Sequence, residues 1–426
     1  MPLFQNLKQI IYFCALCFLF LCFSIFWRYY EFRNIKQSPS IQASCQVLKS
    51  EQKESKNAKI YYTIQLKCDD FNIYTYSKEA KSGHYNLKIS SKKLDFLDFL
   101  KGSFFAATYD FKPLNTKPSF KDRLAQGISS EHENTMASEL YNALYLALPI
   151  SKELRSAVTN WGIAHLVAIS GFHLALLFSI FYFLFSKPYE LLQARYFPYR
   201  NRAFDLSLIV LILAGFYLYL LDFTPSFLRS YTMALIGFIL LSRGIFVFRF
   251  TNLFLCVLLV LCLQPQFLFS LGFYFSALGV FFIFVYIRHF GEAKDLKSPL
   301  KIAAHALFYN IFVFCAMNVP VYYFFSPASF YQLGVIPLSV VFVVFYPLSI
   351  ALHIFGFGGA FDEQMLWFLA LAKEQTQIVL PLWLFILYNA ALPLAMRYKS
   401  AALCLSAFGG GIYLYFVAFG VFASSA

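Results

Sequence analysis

The sequence predicts a mainly α-helical, polytopic membrane protein that carries a small all-β domain outside the membrane. Of its 426 residues, 59% are hydrophobic and 13% are charged, whereas a soluble domain carries about 25% charged residues. Apolar runs of roughly 18 to 25 residues recur from Trp161 to the C-terminus, and each is long enough to cross the ~30 Å hydrocarbon layer as a helix. They predict about 9–11 membrane segments, some of them broken or re-entrant.

Residues 1–28 are predicted to form an N-terminal transmembrane helix. The apolar stretch Gln9–Trp27 is flanked by Lys8 and Arg28. No small-x-small cleavage motif precedes the polar segment, and the tryptophan at its end is typical of an interfacial anchor. An uncleaved helix is therefore favoured over a signal peptide.

Residues 29–118 are rich in lysine, serine, asparagine and aspartate, and they alternate in polarity as half-buried strands do. Short strands around one helical insertion are typical of a small barrel of the OB type, and a fragment of an unrelated β-sandwich is the alternative. The predicted strands are Ile41–Leu48, Lys59–Lys67, Phe71–Tyr76, His84–Ile89 and Ser103–Phe111, and the helical turn is Leu94–Leu100.

Cys45 and Cys68 are the only cysteines of this polar segment. In an oxidising periplasm they could form a disulfide, and two free thiols are the alternative. The other cysteines lie inside apolar runs, where they are interpreted as small core residues.

Residues 119–160 are predicted to be an amphipathic helical connector, and residues 161–426 a transmembrane domain. The loops 187–202, 243–249 and 288–301 carry most of its lysines and arginines. They are every second connection, so the positive-inside rule places them in the cytoplasm. Residues 29–150 are then periplasmic, and the chain is a multi-pass protein of the inner membrane.

Part of the net charge of +13 comes from the predicted β-domain and not from the loops. Residues 29–118 contain 15 lysines and arginines against 9 aspartates and glutamates. Long domains are exempt from the positive-inside rule, so this excess has another origin. It indicates an anionic partner such as nucleic acid or lipid headgroups, or else a solvated lysine-rich surface.

Four interrupted segments are the candidates for a polar path through the membrane. The first has two histidines and an Ile-Ser-Gly step inside an apolar run, which predicts a broken helix whose free backbone groups face protein or water. Its candidate residues are His165, Ser170, Gly171 and His173. Two buried, hydrogen-bonded histidines are the alternative, and no metal is expected because nothing nearby supplies the further ligands of a zinc site.

The second segment contains Asp222, Pro225, Ser226 and Arg229. Burying an arginine in the bilayer costs about 2.5–3.5 kcal/mol on insertion scales, so this one is expected to face a partner or an aqueous path. An interfacial arginine paired with Asp222 is the alternative.

The third and fourth segments are marked by small residues and by prolines. Gly272 and Ser276 either let helices approach closely or line the path. Gln332 and Pro337 lie in a stretch that also contains Pro320 and Gly334, which predicts broken helices bordering a cavity.

No catalytic residue and no cofactor is expected. The sequence has no HxH, HExxH, GxSxG or Walker A motif, so neither metal-assisted hydrolysis nor nucleotide hydrolysis is supported. The chain is predicted not to be an enzyme.

Four motifs resemble those of the ComEC competence-protein family. The stretch HLVAISGFH at 165–173 closely resembles the family hallmark HLLAISGLH. The stretches PSFLR at 225–229, SLGFYFSALG at 270–279 and YQLGVIPL at 331–338 are similar to further family motifs and occur in the same order. Tyr274 and Gln332 stand where the family has glutamine and asparagine, and the HxHxDH motif of its metallo-β-lactamase-like domain is absent, so a form lacking that domain is expected.

The resemblance implies a channel that transports single-stranded DNA across the cytoplasmic membrane during natural transformation. The implied partners are single-stranded DNA, a periplasmic DNA receptor, a cytosolic motor or single-strand-binding proteins, and the lipid bilayer. The oligomeric state, a dimer included, stays open. OB folds bind single strands with cationic grooves and stacked aromatic rings, and the candidates are Lys59, Tyr61, Tyr62, Lys67, Phe71, Tyr74, Tyr76 and Lys78, of which about half of the aromatics must fill the barrel core.

Two other classes of function compete with this one. A membrane glycan ligase or polymerase also combines many helices with an extracytoplasmic domain. A small-solute transporter would normally show paired inverted repeats, which are not visible in the sequence.

Overall fold

The computed structural model describes residues 6–54, 60–68, 71–92, 94–114, 117–244, 250–292, 297–372 and 376–424. Internal contacts divide the chain into two compact units. The first combines Met1–Leu124 with Phe254–Tyr274, and the second combines Ala125–Leu253 with Phe275–Ala426.

The first unit begins with helix α1, Leu7–Gln37, which continues nine residues past the predicted end at residue 28. No proline or glycine occurs between Leu7 and Pro39, and the indole of Trp27 and the guanidinium of Arg28 both donate to the Glu31 carboxylate one turn later. Phe32 is buried in the β-domain core. The last turns of α1 are therefore held by tertiary packing, which the sequence pattern does not show.

A six-stranded sheet follows α1. Its elements are β1 Ser40–Glu54, β2 Ile60–Cys68, β3 Asn72–Ser77, β4 Gly83–Ser90, the short helix α2 Phe96–Leu100, β5 Ser103–Phe105 and β6 Thr108–Pro113. The strand order is β5-β3-β2-β1-β4-β6. β5 pairs in parallel with β3, and β6 pairs antiparallel with β4.

The predicted strand Ser103–Phe111 is thus two strands at opposite ends of this order. Only Ala106 and Ala107 separate β5 from β6, so the sheet must curl until its first and last strands come together. The inward positions Ile64, Leu66 and Ile73 are fully buried. The spacing of two between Ile64 and Leu66 along β2 is the alternation expected of a strand with one face on a core.

Cys45 and Cys68 lie directly opposite each other in the β1–β2 register. Their Cα atoms are 4.2 Å apart, and the two residues form a disulfide. The bond ties β1 to the end of β2 and so closes a loop of the chain.

The second unit is helical. Its elements, with the helices shared between units, are α3 Phe120–Ser130, α4 Thr135–Leu146, α5 Lys152–Asn160, α6 Ala164–Val167, α7 Gly171–Tyr196, α8 Arg202–Leu220, α9 Pro225–Ser242, α10 Phe250–Leu263, α11 Leu271–Phe290, α12 Pro299–Phe324, α13 Val335–Ile354, α14 Asp362–Leu371, α15 Leu382–Arg397 and α16 Lys399–Ser424. Two short strands, β7 Pro327–Ala328 and β8 Thr376–Gln377, pair antiparallel. The predicted segment 365–395 is therefore parts of two helices, α14 and α15.

Eight of the described helices are long and apolar enough to cross a membrane: α1, α7, α8, α9, α11, α12, α13 with the turn before it, and α16. Helices α10 and α15 are apolar but shorter. The chain is accordingly a multi-pass membrane protein, and whether the two shorter helices also cross stays a prediction.

The predicted amphipathic connector 119–160 is three helices with different environments. No residue of α3 is buried, whereas α4 is buried on two sides. Leu140 packs with Leu154 of α5 in one core cluster, and Tyr141 packs with Leu166 of α6 in another. Helix α4 is therefore part of the core of the second unit, with apolar partners on more than one face.

Candidate functional site

The break predicted at the Ile-Ser-Gly step, residues 169–171, is present, because α6 ends at Val167 and α7 begins at Gly171. Gly162 adopts a left-handed φ of +70°, a conformation that favours glycine. The short helix α6 and an extended stretch then lead to Ser170, which is the N-cap of α7. His165 and His173 consequently do not share one helical face, because the helix does not continue between them.

Ser170 and His173 form a capping box at the start of α7. The Ser170 hydroxyl accepts from the backbone N–H of Phe172 at 3.3 Å, and the Ser170 N–H donates to Nδ1 of His173 at 3.2 Å. A capping box normally uses glutamate or glutamine at this position. The histidine in its place is held by local backbone contacts, so its orientation is fixed by the break itself.

The His173 side chain is fully buried. Its ring meets Tyr346 and Phe342 edge to face, with centroid distances of 4.9 and 5.4 Å. Since Nδ1 accepts a hydrogen bond, Nε2 carries the proton of the neutral ring. Within the described part of the chain, Nε2 makes no hydrogen bond of normal geometry, and the Leu166 backbone interacts with the same imidazole.

His165 has a different environment. It precedes α7 and is exposed, and its Nδ1 lies 3.2 Å from the Gly162 carbonyl. Burial nevertheless lowers the pKa of His165, and the hydrogen bond to Gly162 only partly opposes this. The imidazole is therefore neutral at pH 7.

Arg229 lies inside the second unit and is 2% exposed, so it is not a snorkelling interfacial side chain. Its Nε and one terminal nitrogen donate to Ser276 Oγ at 2.9 and 2.6 Å. The same terminal nitrogen donates to Ser230 Oγ at 2.9 Å. Ser226 Oγ completes the group at 3.1 Å from Ser276 Oγ. We refer to Ser226, Arg229, Ser230 and Ser276 as the arginine cluster.

The arginine cluster is built against the start of α7. A Cβ atom on Gly171 would lie 2.7 Å from Ser230 Oγ and 3.6 Å from a guanidinium nitrogen of Arg229. A contact below 3.0 Å cannot form without displacement, so glycine is required where α7 passes α9. This close approach brings the first and second predicted segments together, and Ser230 is a member that the sequence did not suggest.

Gln332 holds the fourth segment in place. Its side-chain amide donates to the carbonyls of Thr159 and Pro327 at 3.2 and 3.0 Å, and its oxygen accepts from the Tyr322 hydroxyl. The amide is buried with both ends engaged. Gln332 therefore fastens the turn before α13 to the end of α5.

Other predicted residues lie elsewhere. Asp222 is exposed and, like Phe223, has a positive φ, and Pro225 is the first residue of α9. Pro337 is exposed in the first turn of α13, where a proline does not break a helix. A Cβ on Gly272 would meet nothing described closer than Ser270 Oγ at 3.8 Å, so tight helix packing does not explain this glycine. Pro320 is inside the continuous helix α12, and the break follows that helix instead.

An open cleft of about 480 Å³ lies between α5 and α14 and is lined by Lys152, Glu153 and Asn160, among others. The Asn160 amide donates to the Ala372 carbonyl at 3.3 Å. Its oxygen has no hydrogen-bond partner among the described residues. Across those residues, no group of three or more histidines, cysteines or carboxylates could hold a metal ion.

The predicted DNA-contacting aromatics of the β-domain divide between its two faces. Tyr61, Tyr74 and Tyr76 point outward, whereas Tyr62 and Phe71 pack against the core, because alternate residues of a strand face opposite sides. Tyr76 contacts Tyr61 at 5.2 Å and Phe105 at 4.7 Å between ring centroids. We call Tyr61, Tyr74, Tyr76 and Phe105 the aromatic strip.

Phe105 was not predicted, because only the pairing of β5 with β3 sets it opposite Tyr74. Phe105 is 53% exposed and Tyr76 is 58% exposed, which is unusual for large apolar side chains on a strand. Lys67 belongs to the outer face of β2, and Lys78 is exposed just beyond β3. Lys59 lies outside the described residues.

Residues 149–419 match the family model described as "Competence protein". The match covers well over half of the chain and includes α6, the start of α7 and the whole arginine cluster. Residues before 149, and with them the β-domain, lie outside it. No curated protein and no solved structure matches the chain significantly.

Proposed function

Because the chain belongs to the competence protein family, we propose that it is a channel for single-stranded DNA during natural transformation. The channel is a conduit and not an enzyme. It resides in the inner membrane, and residues 29–150 are periplasmic. The positive-inside distribution of the loops supports this orientation.

The arginine cluster is the observation that carries the proposal. An arginine is costly in an apolar bundle, so its presence there marks a path for a charged or polar substrate. The planar guanidinium matches phosphate oxygens better than an ammonium does. Arg229 is thus suited to a phosphate backbone that passes through the bundle.

The β-domain is proposed to be an OB fold that captures the strand before entry. A curled sheet with one parallel pair and one short helix supports this assignment. Exposed rings of the aromatic strip would stack on bases, and the lysine excess would attract phosphates. The Cys45–Cys68 disulfide suits an oxidising periplasm.

The proposed partners follow from this role. A periplasmic receptor would deliver DNA to the β-domain, and a cytosolic motor or single-strand-binding proteins would draw the strand inward. Phosphate charge needs a hydrated, cationic or dipolar route across the bilayer.

A strain that lacks this protein tests the function. We expect it to accumulate DNA in the periplasm but to yield no transformants, and the same gene supplied in trans should restore them. Surface glycan should be unchanged. Normal transformation, or altered glycan together with normal transformation, would contradict the channel and favour the glycan-enzyme class.

Substitution of the aromatic strip tests the capture step. In the purified full-length protein, Tyr74→Ala with Tyr76→Ala should weaken single-stranded DNA binding by about 2–6 kcal/mol, since each stacked base is worth about 1–3 kcal/mol. Binding of the wild type should fall steeply as salt is raised. Fluorescence anisotropy with a labelled oligonucleotide measures both.

Tyr30→Ala is the matched control, because Tyr30 is 54% exposed on α1 and belongs to none of the strands. It should bind DNA like the wild type. Equal losses in both variants, or salt-independent binding, would rule out the strip as a stacking surface.

A further inference from the structure

A second buried polar group occurs in the helical unit, at the turn between α3 and α4. His132 lies in that turn, His353 in the last turn of α13, and Asp362 at the first residue of α14. Nδ1 of His132 lies 2.9 and 3.0 Å from the two Asp362 carboxylate oxygens. Nε2 of His132 lies 3.1 Å from Nε2 of His353. We call these three residues the Asp–His–His chain.

The His353 end of the Asp–His–His chain is also fixed by hydrogen bonds. Nδ1 of His353 lies 2.7 Å from the Ser349 backbone carbonyl. The neighbouring Tyr145 hydroxyl donates to Ser349 Oγ at 2.7 Å. A carbonyl oxygen only accepts, so Nδ1 of His353 must carry a hydrogen.

The surrounding side chains shield the Asp–His–His chain from water. The His132 side chain is fully buried and the Asp362 side chain is 14% exposed. Tyr141 stacks on His132 with ring planes 3° apart, and Tyr145 meets His353 edge to face. Burial, and to a lesser degree the Asp362 charge, raise the pKa of Tyr141 to about 12, so this phenol stays neutral.

One further charged group faces the rings. The Glu131 carboxylate accepts from the Gly358 N–H at 2.8 Å. A Cβ on Gly358 would lie 2.5 Å from Glu131 Oε2 and 2.8 Å from His353 Nε2, so carboxylate and imidazole flank the same glycine. Burial is the largest influence on His353 and disfavours a charged ring, whereas the Glu131 and Asp362 carboxylates attract a positive charge and oppose it.

The protonation state of the Asp–His–His chain follows from the number of hydrogens that its hydrogen bonds require. Three hydrogen bonds need three hydrogens: between Asp362 and His132, between the two rings, and between His353 and the Ser349 carbonyl. Two neutral imidazoles supply two. The third makes either an imidazolium beside a carboxylate or a protonated carboxyl beside two neutral rings, and both states are neutral overall.

We propose that Asp362, His132 and His353 form a binding site for a single proton, which clamps the α3–α4 turn to α13 and α14. Without that proton, two imidazole lone pairs would face each other at 3.1 Å, or one ring would present a lone pair to the Ser349 carbonyl or to the Asp362 carboxylate. Either arrangement is repulsive, so deprotonation releases the clamp. This site does not depend on the proposed transport of DNA.

The pH dependence of stability follows from the same count. In the unfolded chain the histidines are neutral and the aspartate is ionised above about pH 7, so the three groups hold two hydrogens. The folded state holds three. Stability therefore falls as pH rises above this point, by roughly tenfold in the ratio of folded to unfolded protein per pH unit until the folded protein loses its proton.

The test uses the full-length protein in detergent with ¹⁵N-labelled histidine. At about pH 8.5, two units above the ordinary histidine value, nitrogen NMR should show one imidazolium, or infrared spectroscopy one protonated carboxyl group. Asp362→Asn should abolish either signal and flatten the decline of the melting temperature with pH. His289→Gln is the matched control, because His289 Nε2 lies 2.9 Å from the Ala395 carbonyl and is not a member of the chain.

Three outcomes would overturn the proposal. The first is a wild-type protein at this pH with only neutral histidines and ionised carboxylates. The second is equal behaviour of the Asp362→Asn and His289→Gln variants. The third is a stoichiometric transition-metal ion that the wild type retains and His132→Gln loses, since facing Nε2 atoms would then be metal ligands. If Asp362→Asn does not fold, the wild-type spectra alone decide.

Discussion

Replacing Arg229 with methionine should lower transformation by about 100-fold or more, which corresponds to about 3 kcal/mol. Methionine fills similar space but removes the charge and the donors that contact Ser276 and Ser230. Leaving buried hydroxyls without these donors costs about 1–3 kcal/mol for each group, and the cationic point of the path is lost as well. Transformation frequency per cell, normalised to the amount of protein in the membrane fraction, measures the effect.

Two further variants separate charge from folding. Arg229→Lys keeps the charge but cannot reproduce the two-nitrogen contact with Ser276, so it should be intermediate. Arg243→Met is the control, since Arg243 is exposed at the end of α9, and it should transform normally. A role for Arg229 in the path would be rejected if R229M transforms normally, or if its loss of transformation only follows a loss of protein from the membrane.

Introducing a methyl group at Gly171 should lower transformation by about 10- to 100-fold, since overpacking costs about 1–3 kcal/mol. The new Cβ would lie 2.7 Å from Ser230 Oγ, a hydroxyl that accepts from Arg229 and donates to the Ser226 carbonyl, both at 2.9 Å. Either Ser230 rotates and both contacts break, or α7 moves away from α9. Gly171→Ala is measured by transformation and by the melting temperature of the purified protein.

Gly279→Ala is the matched control, because nothing described lies within 4 Å of a Cβ at that helical glycine, and it should be near neutral. In a Ser230→Ala background the Oγ clash is gone and the closest remaining atom is the residue-230 Cβ at 3.2 Å. The cost of Gly171→Ala should therefore shrink there. Additive effects of the two substitutions would show that the two sites do not touch.

The architecture could be predicted from hydrophobic patterns that extend over many residues. Apolar runs of membrane length are a property of composition along the chain, and eight described helices realise them. The strand alternation likewise located β2, whose inward residues Ile64 and Leu66 are fully buried. The helix break at Ser170 and Gly171 could be predicted because a serine followed by glycine favours a helix boundary locally, without contacts to distant residues.

Local sequence patterns do not predict the structure of an element that packs against a part of the chain far away in sequence. Helix α1 extends to Gln37 because Phe32 packs into the β-domain core, and nothing near residue 28 encodes this. Tyr61 and Tyr62 are neighbours of the same type, and only the side of the sheet on which the core forms decides which of them stays on the surface.

The sequence by itself determined that this is a multi-pass membrane protein of the competence family, with a β-rich segment near its N-terminus and a helix broken at the Ile-Ser-Gly step of residues 169–171. Only the tertiary structure decided what the polar residues do. Arg229 contacts Ser276, which is 47 positions away in the sequence, and His132 contacts His353, which is 221 positions away. Local patterns report which face of an element is apolar, whereas hydrogen bonds between elements depend on how those faces come together.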